Sequence, residues 1–311
     1  MSTKSRSMRN RFVQVASDAL DSNPRVAVVL ADISVERFVA NGAAARHPNR
    51  VINVGIREQL MVSAAAGMAL EGMRPIAHSF APFLVERAFE QVKLDFSHQG
   101  VGGILVSAGA SYDTPGYGRT HQGMGDVALL ATLPGWRITI PGHADEVEEA
   151  LVEAIQFDEP VYIRLSDQVN AAPVSSGRGL ATVRAGSPGA VTVIAVGPML
   201  DPVMEALSGA DATILYTSTV RPFDGPGLRA AVTGPEVVLV EPYLEGTSAG
   251  EVSSALSDRA HRLLSIGVPR GEHRHYGTPA EHAQAYGLDA PGLRRHIASW
   301  LGPLTPNPTD L

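Results

Sequence analysis

Short apolar runs alternate with helical patterns along most of the chain, and this alternation restricts the fold more than any other feature. The runs are rich in β-branched residues and predict strands at residues 26–30, 51–54, 75–80, 103–107, 137–140 and 161–165. Between the last two, a helical segment at 144–157 places four apolar side chains on one face, namely Val147, Leu151, Ala154 and Ile155. Strands that are separated by helices predict a mostly parallel sheet with helices on both sides.

The periodicity stops in a segment rich in Ala, Ser, Gly and Pro and then resumes. We interpret residues 1–170 as one domain, 171–189 as a linker and 190–311 as a second, smaller domain. The second domain has predicted strands at 191–196, 212–216, 237–240 and 263–266, and predicted helices at 199–207 and 248–261. The expected fold class is therefore α/β, with two domains that each contain a mostly parallel sheet flanked by helices.

Composition excludes several classes of protein. The 311 residues are 44% hydrophobic and carry a formal net charge of −7, which predicts substantial cores and no nucleic-acid partner. Because the chain has no cysteine, it can form no disulfide, thiolate nucleophile or cysteine-ligated metal site. No apolar stretch is long enough for a signal core or a bilayer span, which favours a soluble cytoplasmic protein without a membrane partner.

Glu58 occupies a position where α/β folds place groups that contact ligands. It follows the predicted strand at 51–54 and opens a helical segment of small residues. A carboxylate at the start of a buried helix must be paired or must have a raised pKa, because an isolated buried charge is too costly. Glu58 is therefore a candidate for proton handling, although a carboxylate that merely favours the helix dipole would occupy the same position.

Four ordered motifs resemble those of the transketolase family. They are Asn-Val-Gly-Ile-Arg-Glu-Gln at 53–59, His-Ser-Phe-Ala-Pro-Phe at 78–83 with the helix at 87–91, Thr-His-Gln-Gly at 120–123 followed by Asp126, and Leu-Pro-Gly-Trp at 133–136. Each string is weak alone, and their shared order carries the resemblance. It implies a pyrimidine-binding domain and a transketolase C-terminal domain, in an enzyme that depends on thiamine diphosphate.

The first domain of a complete transketolase has no counterpart in this sequence. In the family, that domain binds the diphosphate and Mg2+ through a Gly-Asp-Gly motif, which does not occur here. The resemblance therefore implies a split enzyme, in which a partner subunit holds Mg2+ and the diphosphate in an α2β2 heterotetramer. The chain itself is expected to bind no metal. His273, His275 and His282 have a spacing that could suggest a metal site, but a solvated loop is the favoured interpretation.

The resemblance also implies roles for individual residues in cofactor binding and catalysis. Glu58 matches the family glutamate that hydrogen-bonds N1′ of the aminopyrimidine and so promotes removal of the thiazolium C2 proton. Phe80 and Phe83 match aromatic residues on which the pyrimidine stacks, although both could instead be core residues. His121 matches a histidine that lines the substrate channel and assists at the substrate. A third family aromatic falls at Glu86.

The substrate side departs from the transketolase pattern. Tyr117 occupies the place of an aspartate that recognises a substrate hydroxyl in the family. Leu129 and Ala131 occupy the places of a histidine and an arginine at the phosphate end. Asp167 occupies the place of a second arginine and would repel a dianion. We therefore expect an acceptor other than an ordinary pentose phosphate.

Two arginines could replace the missing phosphate-binding cations. Arg119 belongs to the loop before His121, and with Tyr117 it is a candidate for substrate binding. Arg164 resembles an arginine of deoxyxylulose-phosphate synthases, which makes it a third candidate. Arg164 could equally be a strand-end residue in an ion pair.

The expected function is the transfer of a two-carbon ketol unit from a ketose donor to an aldehyde acceptor. The departures favour a specialised biosynthesis over central carbohydrate metabolism. The alternative is the β subunit of a 2-oxo-acid dehydrogenase or a deoxyxylulose-phosphate-synthase-like decarboxylating carboligase, which would release CO2. A non-catalytic binding or scaffold protein that keeps the fold is a further alternative.

Overall fold

The computed structural model describes residues 7–303 and 305–306. Its α-helices are α1 (Met8–Ser22), α2 (Val35–Ala40), α3 (Ala43–Arg46), α4 (Glu58–Leu70), α5 (Phe89–Gln91), α6 (Asp126–Leu130), α7 (Ala144–Gln156), α8 (Leu200–Ala206), α9 (Gly225–Ala231), α10 (Ala249–Ala255), α11 (Pro279–Tyr286) and α12 (Ala290–Leu301). In this part of the chain, no helix is both long and apolar enough to cross a membrane.

The strands alternate with these helices. They are β1 (Val26–Leu30), β2 (Val51–Asn53), β3 (Arg74–Phe80), β4 (Ile104–Ala108), β5 (Arg137–Thr139), β6 (Val161–Arg164), β7 (Ala181–Arg184), β8 (Val191–Val196), β9 (Ala212–Thr217), β10 (Thr219–Arg221), β11 (Glu236–Leu244) and β12 (Arg262–Val268). Shorter helical segments include π-helical turns at Pro82–Arg87 and Val92–His98 and 3-10 turns at Pro115–His121 and Gly197–Met199.

The first sheet is mostly parallel and deeply buried. Its strands lie in the order β10-β5-β6-β4-β3-β1-β2, and every neighbouring pair except β10 with β5 is parallel. Every residue of β1, β4 and β6 is buried. The sequences of these strands are therefore largely apolar and do not alternate between apolar and polar residues. All six strands predicted for this region form, and their ends differ by at most one residue from the prediction.

The second sheet has the order β12-β11-β8-β9-β7, and only β7 runs antiparallel to its neighbour. The strands predicted at 191–196, 212–216, 237–240 and 263–266 all form, so the predicted α/β class is confirmed. The helix predicted at 248–261 is too long, because α10 ends at Ala255. Backbone turns through Ser257 and Arg259 follow it, and they lead the chain into β12.

Two strands lie outside the predicted pattern. β7 lies within the segment 171–189 that the sequence suggests as a linker, and its Ala181 pairs with Tyr216 of β9. β10 directly follows β9, yet it crosses to the first sheet, where Thr219 pairs with Thr139. β7 is a partly exposed edge strand and β10 is only three residues long, so neither contains an apolar run that marks a strand in the sequence.

A buried carboxylate reinforces the connection between the two sheets. Glu146 of α7 accepts the backbone N–H of Gly142 at 2.8 Å and that of Val174 at 2.9 Å, and it also accepts the hydroxyl of Tyr216 in β9. Burial raises the pKa of Glu146, although these hydrogen bonds act in the opposite direction. α7 is therefore held to a strand of the second sheet.

The carboxyl ends of the parallel strands in the first sheet lie at one edge. β2 ends at Asn53, β3 at Phe80, β4 at Ala108 and β6 at Arg164. Open α/β sheets bind their ligands in the crevice outside this edge. Glu58 follows β2 at the same edge, as the first residue of α4. The fold thus brings together residues that are more than one hundred positions apart in the sequence.

Glu241 is a fully buried carboxyl group in β11. Its Oε1 accepts the backbone N–H of Ser248 at 3.0 Å, whereas Oε2 has no hydrogen-bond partner in the described part of the chain. Burial raises the pKa of Glu241 from 4.5 to about 7, because the charged form is poorly solvated in the sheet. Between these two pH values the folded protein therefore holds a proton that the unfolded chain has released.

We expect this proton to make the free energy of unfolding depend on pH. Its stabilising contribution is fully present below pH 4.5 and is lost as the pH rises through 7, at up to about 1.4 kcal/mol per pH unit. Glu241→Gln keeps a neutral side chain and should remove this part of the dependence. Urea unfolding of both proteins between about pH 4 and pH 8 measures the difference. If the free energy of unfolding has the same pH dependence in both proteins, Glu241 does not hold the proton.

Candidate active site

Glu58 is buried and paired at the start of α4. Only 1% of the residue is exposed, and its Oε2 accepts a hydrogen bond from Arg87 Nη1 at 2.7 Å. Oε1 accepts the hydroxyl of Ser79 at 3.2 Å. The buried carboxyl group of Glu58 therefore has a cation as its partner. The N-terminal end of α4 adds a favourable interaction with negative charge.

Three rings from two of the motifs form an aromatic cluster beside Glu58. The ring centroids of Phe80 and Phe83 are 6.2 Å apart, and that of His121 lies 5.0 Å from Phe83 and 5.9 Å from Phe80. All three pairs are close to perpendicular, which is a favourable arrangement for aromatic rings. All three residues are partly exposed, so the cluster lines a surface instead of filling the core.

Arg87 joins the carboxylate to the aromatic cluster. Its Cζ lies 4.1 Å from the centroid of Phe83, within the range of a cation–π contact, while Nη1 donates to Glu58. Sequence reasoning did not select Arg87 as a site residue. Its spacing of four residues from Phe83 on a helical segment would have indicated the contact. Arg9 was also missed, and its Cζ lies 5.2 Å from the centroid of Phe80.

A loop after β4 carries His121 and Tyr117. Their rings are 4.8 Å apart, and Nδ1 of His121 lies 2.9 Å from the hydroxyl of Thr120. Partial burial lowers the pKa of His121, and the nearby charge of Arg87 lowers it further. Tyr117 is 66% exposed and extends the aromatic surface outwards. The loop also turns at Gly118, whose φ of 67° is a conformation that favours glycine.

The two candidate substrate arginines lie in different environments. Arg119 is exposed and donates only to the carbonyl of Gln122, at 3.1 Å, among the side-chain bonds of the described residues. Arg164 is 1% exposed, and its Nε donates to Asp126 Oδ2 at 2.7 Å. Arg164 therefore forms the strand-end ion pair that the sequence allowed as the alternative to substrate binding. We leave Arg164 out of the candidate site, because its guanidinium is enclosed in the fold.

Arg164 connects the loop to both sheets. Its Nη2 donates to the hydroxyl of Ser111 at 2.8 Å and to the carbonyl of Gly123 at 2.9 Å. The hydroxyl of Ser111 in turn donates to the carbonyl of Pro242 in β11. Asp126, the other member of the pair, also accepts the hydroxyl of Tyr162 at 2.5 Å. Both ends of the loop that carries His121 are therefore attached to one buried ion pair.

We expect Arg164→Met to lower the free energy of unfolding by about 3–5 kcal/mol, because it leaves the buried carboxylate of Asp126 without its cation. Arg229→Met is a matched control, since Arg229 pairs with Asp258 on the surface at 2.6 Å. This control should cost less than about 1 kcal/mol. Urea unfolding measures both variants, and equal losses would show that the buried pair has no special role.

The positions that depart from the transketolase pattern differ in their surroundings. Glu86 is partly buried beside α6, and burial raises its pKa, with the charge of Asp126 adding to the effect. Leu129 packs against a hydrophobic core to which both sheets contribute residues. Asp167 is exposed, and its backbone N–H donates to Asp113 at 2.9 Å. None of these three residues belongs to the aromatic cluster.

Residues 4–171 match the protein family described as "Transketolase, pyrimidine binding domain". The chain belongs to this transketolase family. The resemblance that the four sequence motifs indicate is therefore confirmed. An uncharacterized 33.6 kDa protein of the fasciation locus of Rhodococcoides fascians is 51% identical over 300 residues, which cover 95% of both chains.

Other relatives are longer than this chain. The 1-deoxy-D-xylulose-5-phosphate synthase of Acidovorax sp. strain JS42 is 31% identical over 83% of this chain and 42% of its own length. The corresponding synthase 2 of Geobacter sulfurreducens is 30% identical over 92% of this chain and 48% of its own length. The chain thus spans less than half the length of these two synthases.

Solved structures of transketolases have the same fold. One is described as "Split gene transketolase, inactive beta4 tetramer", with a TM-score of 0.80 and 24% identity over 94% of this chain and 97% of that one. The transketolase of Campylobacter jejuni has a TM-score of 0.77 and 17% identity over 94% of this chain and 46% of that one. At these identities, the likeness concerns the fold alone.

Proposed function

We propose that this chain is the pyrimidine-binding subunit of a thiamine-diphosphate-dependent, transketolase-like enzyme. Its reaction is the transfer of a ketol unit from a ketose donor to an aldehyde acceptor. The observation that carries the proposal is the buried carboxylate of Glu58 beside the partly exposed ring of Phe83. Membership of the transketolase family supports the same cofactor.

The residues at this edge fit an aminopyrimidine. Glu58 offers an oxygen, Oε2, that already accepts an N–H donor, and Phe83 offers a ring on which a planar cationic group already lies. An aminopyrimidine is planar, can share a proton with a carboxylate, and can stack on an aromatic ring. Glu58 and Phe83 would therefore hold this part of the cofactor, with Phe80 beside them.

Each residue then has a definite role. Bound thiamine diphosphate supplies an electron sink for breaking and forming carbon–carbon bonds next to a carbonyl group. Glu58 would share a proton with N1′, in a position with little access to water. The lowered pKa of His121 favours its neutral form near pH 7, so that it can accept a proton from a substrate hydroxyl. Tyr117 and Arg119 lie on the same exposed loop and would contact the substrate.

We also propose a partner subunit that holds Mg2+ and the diphosphate in an α2β2 assembly. Among the described residues, no group of three or more His, Asp or Glu side chains could hold a metal ion. Apolar side chains are exposed close to Glu58, with Ile56 at 71% and Leu60 at 47%. Such a surface is suited to a partner. The solved split-gene transketolase of similar size is described as inactive when it is a tetramer of one chain.

A decarboxylating carboligase is the second candidate. Its support is the 30–31% identity to 1-deoxy-D-xylulose-5-phosphate synthases over most of this chain. The two functions differ in one product. Release of CO2 from a 2-oxo acid by the assembled enzyme would favour the synthase-like reaction, and cleavage of a ketose without CO2 would favour ketol transfer.

Calorimetry with thiamine diphosphate and Mg2+ tests the cofactor proposal. We expect no binding by this chain alone and tight binding when it is mixed with a diphosphate-domain chain from the same genome. Glu58→Gln should still bind in the mixture, because the amide keeps the hydrogen-bonding shape, but its activity should fall about 100-fold or more. Glu71→Gln, at the exposed end of the same helix, is the matched control. Absence of binding in the mixture would overturn the proposal.

A further inference from the structure

The guanidinium of Arg87 makes both contacts that the proposed function assigns to the aminopyrimidine. It donates to Glu58 Oε2 at 2.7 Å, and its Cζ lies 4.1 Å from the centroid of Phe83. A guanidinium is flat, carries N–H donors in its plane and stacks on aromatic faces. These are the properties by which a protonated aminopyrimidine would be held between the same two side chains.

We propose that Arg87 is a placeholder, which neutralises Glu58 until the aminopyrimidine binds and then gives up its contacts to the cofactor. The proposal rests on the proposed function. Glu58 is 1% exposed, so its charge needs a partner at every stage. The pyrimidine and Arg87 would use the same oxygen and the same ring, so in this proposal Arg87 moves away when the pyrimidine arrives.

The surroundings of Arg87 allow this movement. Its side chain is 39% exposed, in contrast to the 1% of Glu58. Its one side-chain hydrogen bond among the described residues goes to Glu58, and its ring contact there is with Phe83, so both contacts are ones that the aminopyrimidine would take over. The movable member of the pair is therefore the cation. A long, flexible side chain near the surface can turn into water at little cost.

The alternative is that Arg87 stays in place and helps to hold the cofactor. The two roles predict opposite effects on affinity. A placeholder competes with the cofactor, so its removal strengthens cofactor binding. The same removal destabilises the folded chain in the absence of the cofactor. A cofactor ligand contributes to the complex, so its removal weakens binding.

The decisive variant is Arg87→Met, which removes the charge and keeps a long side chain. We expect the Arg87→Met variant, mixed with the diphosphate-domain chain and Mg2+, to bind thiamine diphosphate roughly tenfold more tightly than wild type in calorimetry. By itself, the variant should unfold at lower urea concentration than wild type, because Glu58 loses its cation. Arg25→Met is the matched control, since Arg25 pairs with Asp158 on the surface, and it should change neither quantity.

Two further variants separate the possible outcomes. Arg87→Lys keeps the charge but not the flat guanidinium, and its affinity should lie between those of wild type and Arg87→Met. In a Glu58→Gln background, Arg87→Met should no longer strengthen binding, because the neutral amide needs no cation. Equal or weaker binding by Arg87→Met would overturn the placeholder and leave the proposed function intact. Absence of binding in every mixture, wild type included, would overturn both.

Discussion

The buried ion pair between Asp126 and Arg164 is the interaction on which the geometry of the candidate site depends. It fixes the carboxyl end of β6 against the start of α6, and through Ser111 and Gly123 it holds both ends of the intervening loop. Removing one member of such a pair leaves a charge in a medium that solvates it poorly. His121 can therefore be carried by an exposed loop and still keep a defined position beside Phe83.

The same arrangement separates the part of the site that must be exact in shape from the part that can vary. Glu58, Phe80 and Phe83 come from the ends of strands and from helical segments that pack on the first sheet. Tyr117 and Arg119 lie between the two anchored ends of the loop and are exposed. A substitution at Tyr117 leaves the core intact, so this position can depart from the transketolase pattern without a change in the sheet.

The central strands could be predicted from the sequence because a continuous apolar run is a local feature of the chain. β1 and β8 have the predicted bounds, since each is a continuous run of buried residues that are mostly apolar. β7 and β10 were missed because short edge strands depend on a partner that only the tertiary structure supplies. The same distinction applies to Arg164, whose two interpretations differ only in whether Asp126 lies within reach.

The candidate site shows a similar division. The motifs that resemble transketolases named Glu58, Phe80, Phe83 and His121, and the structure brings the side chains of these four residues to one edge of the sheet. Arg87 was not recognised, because the partner of a buried carboxylate depends on how two distant helical segments pack. A search for the cation that burial of Glu58 requires would have led to it.

Exchange of the thiazolium C2 proton with solvent deuterium tests the role of Glu58 most directly. It is measured by NMR on thiamine diphosphate bound to the assembled enzyme, at equal cofactor occupancy for wild type and Glu58→Gln. We expect exchange to be at least about 100-fold slower in the variant, the usual contribution of a positioned proton-transfer group. Equal exchange rates would contradict the proposal that this buried carboxylate activates the cofactor.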